Sequence, residues 1–142
     1  MRSKTVSRFY ASALWGLTLL FCLRILAQPL SRLVPALPAF DAWHSGLLPY
    51  PALLLSQLGI AATMVVVNLR LVRGAPASRP RLGYWLALLG TLYFTAMLLR
   101  LALGYTVYAG SAWLDRPLPT LFHLVLATWV LLLARYHVRH AR

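Results

Sequence analysis

LGYWLALLGTLYFTAMLLRLAL, residues 82–103, is a run of 22 residues with a single charge, Arg100. Wound as a helix at about 1.5 Å per residue it reaches about 33 Å, the thickness of a bilayer's hydrocarbon core. Three further stretches read the same way: residues 9–28, stopped by Pro29; residues 51–71, through Val65, Val66 and Val67; and residues 118–134, opened by Pro117. Prolines, Gly104 and the polar run at residues 73–81 separate them, which are the residues expected where helices stop and turn.

The composition agrees with a lipid-embedded chain. Of 142 residues, 61% are hydrophobic and 11% charged, and mean hydropathy is +0.71. A soluble domain averages about a quarter charged residues, so this chain lacks the polar side chains to face water. Disordered basic tails are poor in aliphatics and aromatics, and this chain is rich in both. Alternation of the barrel-strand kind is absent, and each stretch is too long and too uniformly apolar for such a strand. The expected fold is all-α: a single membrane domain over residues 1–142, an integral four-helix bundle whose short connections make neighbouring helices antiparallel. Residues 1–8 are basic and precede an apolar run without an A-x-A cleavage motif, so that run is expected to be kept as the first span.

Fourteen Lys and Arg against two acids give a formal net charge of +12. Most of this excess is topological. Arg2, Lys4, Arg8, Arg70, Arg73, Arg79, Arg81, Arg135, Arg139 and Arg142 fall on one side of the four spans, and only Arg32 and Arg116 on the other. Basic residues near span ends stay on the cytoplasmic side. Both termini are therefore expected in the cytoplasm and the chain in the cell membrane, the inner one if the source is bacterial. The same distribution splits the basic residues among short segments at a membrane surface, so no nucleic-acid partner is expected. Arg135, His137, Arg139 and His140 read as a basic tail attracted to anionic lipid.

Two arginines remain. Arg24 and Arg100 lie inside spans, where a charge costs a few kcal/mol and points to function. At about 1.5 Å per residue, Arg24 lies about 7 Å, Arg100 about 6 Å, Gln57 about 9 Å and His123 about 8 Å beneath the outer ends of their spans. Four helices each place one strong polar group at nearly one level. Helical spacing puts Arg24 with Gln28, Gly16 and Leu20; Gln57 with Ala61, Met64 and Asn68; Arg100 with Tyr93, Ala96 and Gly104; and His123 with Thr120, Ala127 and Ala134. Asp41, His44 and Asp115 occupy the outer loops above that level.

Three readings of this constellation stand side by side. In the first, Arg24, Gln28, Gln57, Arg100 and His123, with Asp41, His44 and Asp115 above them, hold the anionic or carbonyl-rich head group of a lipid or quinone-like molecule. In the second the chain is an accessory or anchor subunit of a larger membrane complex, and Arg24 and Arg100 pair with Asp41 and Asp115 to orient helices. The third is a redox module in which His44 and His123 ligate haem, or a quinone binds at that level. No motif for a nucleophile, phosphate loop or metal site accompanies these residues, so no metal is assigned and binding is expected rather than catalysis by this chain on its own. Cys22 excludes an intramolecular disulfide and reads as a packing residue.

Overall fold

A computed structural model describes residues 2–44, 48–73, 79–106 and 116–139, with side chains from Phe9 onward. It is built of four α-helices, α1 (Arg2–Leu30), α2 (Tyr50–Val72), α3 (Pro80–Thr106) and α4 (Pro117–Arg139), with one 3-10 turn at Phe40–Trp43 between the first two. All four are long and apolar enough to cross a membrane. Leu19, Leu23, Leu26, Leu88, Leu89, Leu92 and Leu99 point outward, the inverse of a water-soluble surface.

The helices overrun the expected boundaries for identifiable reasons. Pro29 lies inside the last turn of α1, where its missing N–H removes one backbone bond, and the chain continues through Ser31 N–H to Ala27 C=O at 2.9 Å. Ser31 Oγ donates to the Gln28 carbonyl at 2.7 Å, satisfying a carbonyl that the helix end leaves open. Gly104 does not end α3, which runs on to Thr106, whose hydroxyl donates to Ala102 C=O at 2.8 Å. The fourth helix carries its regular backbone through the basic segment to Arg139.

Buried positions recur every three or four residues. On α2 they are Gln57, Ala61, Met64, Asn68 and Leu71, a repeat of seven residues over two turns; on α4 Thr120, Ala127 and Ala134 share that spacing. A seven-residue repeat keeps one seam facing a partner when helices wrap gently around each other. On α1 the inward seam is Tyr10, Leu14, Thr18, Phe21, Arg24, Ile25 and Gln28, while Gly16 and Leu20, expected to share a face with Arg24, lie exposed. The 3.5-residue period carries the seam from Arg24 down through Phe21 and past Leu20.

Helix α1 packs against both α2 and α4, and α3 packs along α4; among the described residues α2 and α3 make no close backbone approach. Glycines set the α3 contact. A Cβ placed on Gly83 would come within 2.8 Å of Val138 Cγ2 and 3.0 Å of the Ala134 carbonyl, and one on Gly90 within 2.9 Å of Leu131 Cδ2. Small residues at such points let backbones approach in lipid.

A polar link ties three helices at mid-height. Thr18 Oγ1 donates to Leu14 C=O (2.9 Å) and accepts from Asn68 Nδ2 (2.8 Å), while Trp129 Nε1 donates to Asn68 Oδ1 (3.3 Å). Asn68 thus joins α1 to α4 from its place on α2, and all three side chains are buried.

Candidate functional site

Arg24, Gln57 and His123 come together around one small cavity of about 70 Å³ between α1, α2 and α4, closed on the sides by Phe21, Ile60 and Phe122. Each reaches it because the seven-residue seam turns it inward. Arg24 is 6% exposed and Gln57 4%. One Arg24 terminal nitrogen donates to the Trp43 carbonyl at 3.1 Å, and the guanidinium lies 5.7 Å from the Phe122 ring centroid. Arg24 Nε and both ends of the Gln57 amide are buried with no hydrogen-bond partner. Such groups cost about 1–3 kcal/mol each when left unsatisfied.

The third wall carries a histidine whose orientation is fixed. Tyr93 on α3 meets His123 Nδ1 through its hydroxyl at 2.5 Å, with the rings edge to face. Tyr93 lies seven residues before Arg100, so the same face of α3 presents both, and Arg100 is buried. The described acid, Asp41, is exposed in the loop, so no carboxylate lines the cavity, whose polar groups are Arg24, Ser56, Gln57 and His123.

Next to the cavity the first loop packs as a lid on this end of the bundle, through Arg24 and Phe122. Trp43 is buried, donates from Nε1 to Pro38 C=O at 3.0 Å and packs on Phe122 with centroids 6.0 Å apart. Arg116, at the start of α4, donates from one nitrogen to the carbonyls of Asp41 and, at 3.0 Å, His44. Arg32 stacks 3.9 Å from the Phe40 centroid. These two arginines, legible in the sequence only as loop charges, pin the lid.

The other candidates separate from this centre. Gln28 is buried with both amide ends unpartnered but does not line the cavity. Among the described residues no ion pair joins Arg24 to Asp41; the Trp43 carbonyl takes its place. His44 uses Nε2 on the Leu48 carbonyl at 2.6 Å, so it shapes the loop, and no cluster of three or more metal-ligating side chains occurs among the described residues. Asp115 lies outside the described residues. Sequence reasoning missed Trp43 as a lid and Trp129 as a hydrogen-bond donor; the heptad step from Arg100 to Tyr93 was a signal for the His123 partner.

Beside the cavity, and sharing Ser56, Ile60 and Leu126 with it, a groove of about 550 Å³ runs along α2 and α4 past Gly59, Thr63, Met64, Trp129 and Val130, with Tyr93 of α3 at its side. A polar chamber with an apolar annex is the shape an amphiphile fits. No family model, curated protein or solved structure matches this chain.

Proposed function

We propose that this chain is an antiparallel four-helix protein of the cell membrane, both termini cytoplasmic, that binds one amphiphile with its head group in the Arg24, Gln57 and His123 cavity and its tail in the groove along α2 and α4. The head group is an anionic or carbonyl-rich one, as in a lipid or a quinone-like molecule. The lopsided basic residues support the orientation. The observation that carries the binding reading is the set of orphaned polar atoms at one cavity: Arg24 Nε and the Gln57 amide.

Groups without partners in a low-dielectric region cost several kcal/mol, so these atoms call for a polar occupant. An oxygen-rich head group answers the Arg24 Nε and Gln57 Nε2 donors together, and a hydroxyl or water beside it answers Gln57 Oε1. The guanidinium offers a planar fork to a carboxylate or phosphate, and a Gln amide and a His ring serve a carbonyl. About 70 Å³ admits a carbonyl or carboxylate with a water or two, and the rest of the molecule has the groove.

Extraction into mild detergent followed by mass spectrometry of the bound small molecules tests this. Wild-type protein is expected to retain one predominant amphiphile, and Arg24→Leu to lose it while keeping its helicity. Retention of the same molecule by Arg24→Leu at wild-type occupancy would refute the assignment.

A further inference from the structure

A second and larger cavity lies where α2 ends, α3 begins and α4 ends. It measures about 270 Å³; its floor is Val67, Leu71, Leu82 and Leu133, and its polar wall is Arg70, Arg79 and His137. His137 is 6% exposed. The backbone N–H of Arg79 donates to its Nδ1 at 3.3 Å, so Nδ1 accepts and the ring hydrogen sits on Nε2. The polar side chains of the wall therefore present only donors: two guanidinium groups and one imidazole N–H. No acid among the described residues accompanies them, since Asp41 belongs to the lid at the other end of α1 and α4.

Basic residues at a span end are usually explained by topology and by diffuse attraction to anionic lipid, worth about 1 kcal/mol per charge near the surface. That explanation treats every arginine at this end alike. The cavity does not: all four arginines are exposed, but Arg70 and Arg79 line it and Arg73 and Arg135 do not. Gly83, one turn into α3, brings α3 against Ala134, His137 and Val138 and so fixes where Arg79 stands relative to the imidazole. Meanwhile α2 and α3 stay apart, which opens the aliphatic floor sideways.

From this arrangement we infer that the Arg70, Arg79 and His137 pocket binds a phosphate group, presented either by an anionic phospholipid of the adjoining leaflet or as free phosphate. Two guanidinium forks match the oxygens of a phosphate, and the imidazole N–H supplies a further bond. The leucine and valine floor accommodates the glycerol and first methylenes when a lipid is the source.

Thermal unfolding of the full chain in detergent micelles reads this out. Phosphatidylglycerol added to the micelles at about 100 times its Kd is expected to raise Tm by about 5 °C over the same amount of phosphatidylcholine. Arg70→Gln/Arg79→Gln is expected to lose most of that rise; Arg73→Gln/Arg135→Gln, which removes equal charge outside the pocket, is expected to keep it. All four substituted side chains are exposed, so helicity by circular dichroism is expected to match wild type in both variants. Inorganic phosphate is the second arm. A rise with phosphate alone, abolished in Arg70→Gln/Arg79→Gln, supports the site with a soluble source; a rise with phosphatidylglycerol only supports the lipid source. Equal losses in the two double variants, or a wild type indifferent to both phosphate-bearing probes, would overturn the inference.

Discussion

Replacing Asn68 by Leu tests how the helices are held. The side chains are similar in size, so the change removes hydrogen bonds while leaving volume nearly constant. Two interhelical bonds disappear, to Thr18 Oγ1 and from Trp129 Nε1. Their consequences differ. Thr18 keeps its own bond to Leu14 C=O, so that link costs only the ordinary value of an interhelical bond in a membrane, about 0.6 kcal/mol. Trp129, 5% exposed, is left with a buried indole N–H and no acceptor, which costs about 1–3 kcal/mol. The sum is a loss of about 1.5–3.5 kcal/mol. Adding Trp129→Phe removes the orphaned donor, so the double variant should be less destabilised than the two single variants added together, by about 1 kcal/mol or more. Reversible unfolding in mixed micelles, followed by circular dichroism, measures all three. A stability for Asn68→Leu within about 0.5 kcal/mol of wild type, or strict additivity in the cycle, would refute the role given to this network.

Three further outcomes follow from the packing and the lid. Gly90→Leu is expected to lose about 1–3 kcal/mol by forcing α3 from α4, while Gly16→Ala and Gly59→Ala, whose new Cβ atoms meet nothing within 4 Å, are expected to gain about 0.5–1 kcal/mol; unfolding midpoints compare them. Arg116→Gln withdraws the hold on the Asp41 and His44 carbonyls and is expected to speed amide hydrogen exchange at residues 38–44 without changing helicity, and unchanged exchange would contradict the lid. Tyr93→Phe deprives His123 Nδ1 of its partner; the bound amphiphile is expected at lower occupancy by mass spectrometry, with little change in the unfolding midpoint.

The four helices were legible because length and apolarity are local properties of a sequence, and the α2 seam from Gln57 to Asn68 could be read because it obeys one period throughout. The α1 face was harder. Extending it from Arg24 to Leu20 and Gly16 follows the four-residue step, whereas the chain alternates three and four and buries Phe21, Thr18 and Leu14. A common depth for Arg24, Gln57 and His123 could be counted from span ends, and these three do share a cavity. Among the described residues the helix of Arg100 makes its close backbone approach to α4, and helix order around a bundle is not encoded in any one span. Long-range partners were beyond reach for the same reason: the carbonyl that receives Arg24 belongs to Trp43, nineteen residues on, in a loop whose path depends on Arg116, seventy-two residues beyond His44.

Site-directed photocrosslinking in native membranes puts the central claim to its most direct test. A photoreactive residue at Ser56, which borders both the cavity and the groove, is predicted to trap one predominant amphiphile, and the same residue at Leu89, on the outward face of α3, to trap the membrane's general lipid mixture. The Ser56 adduct should fall to that mixture when Arg24 is replaced by Leu. Identical adducts at Ser56 and Leu89 in the otherwise unaltered chain would contradict a specific amphiphile site.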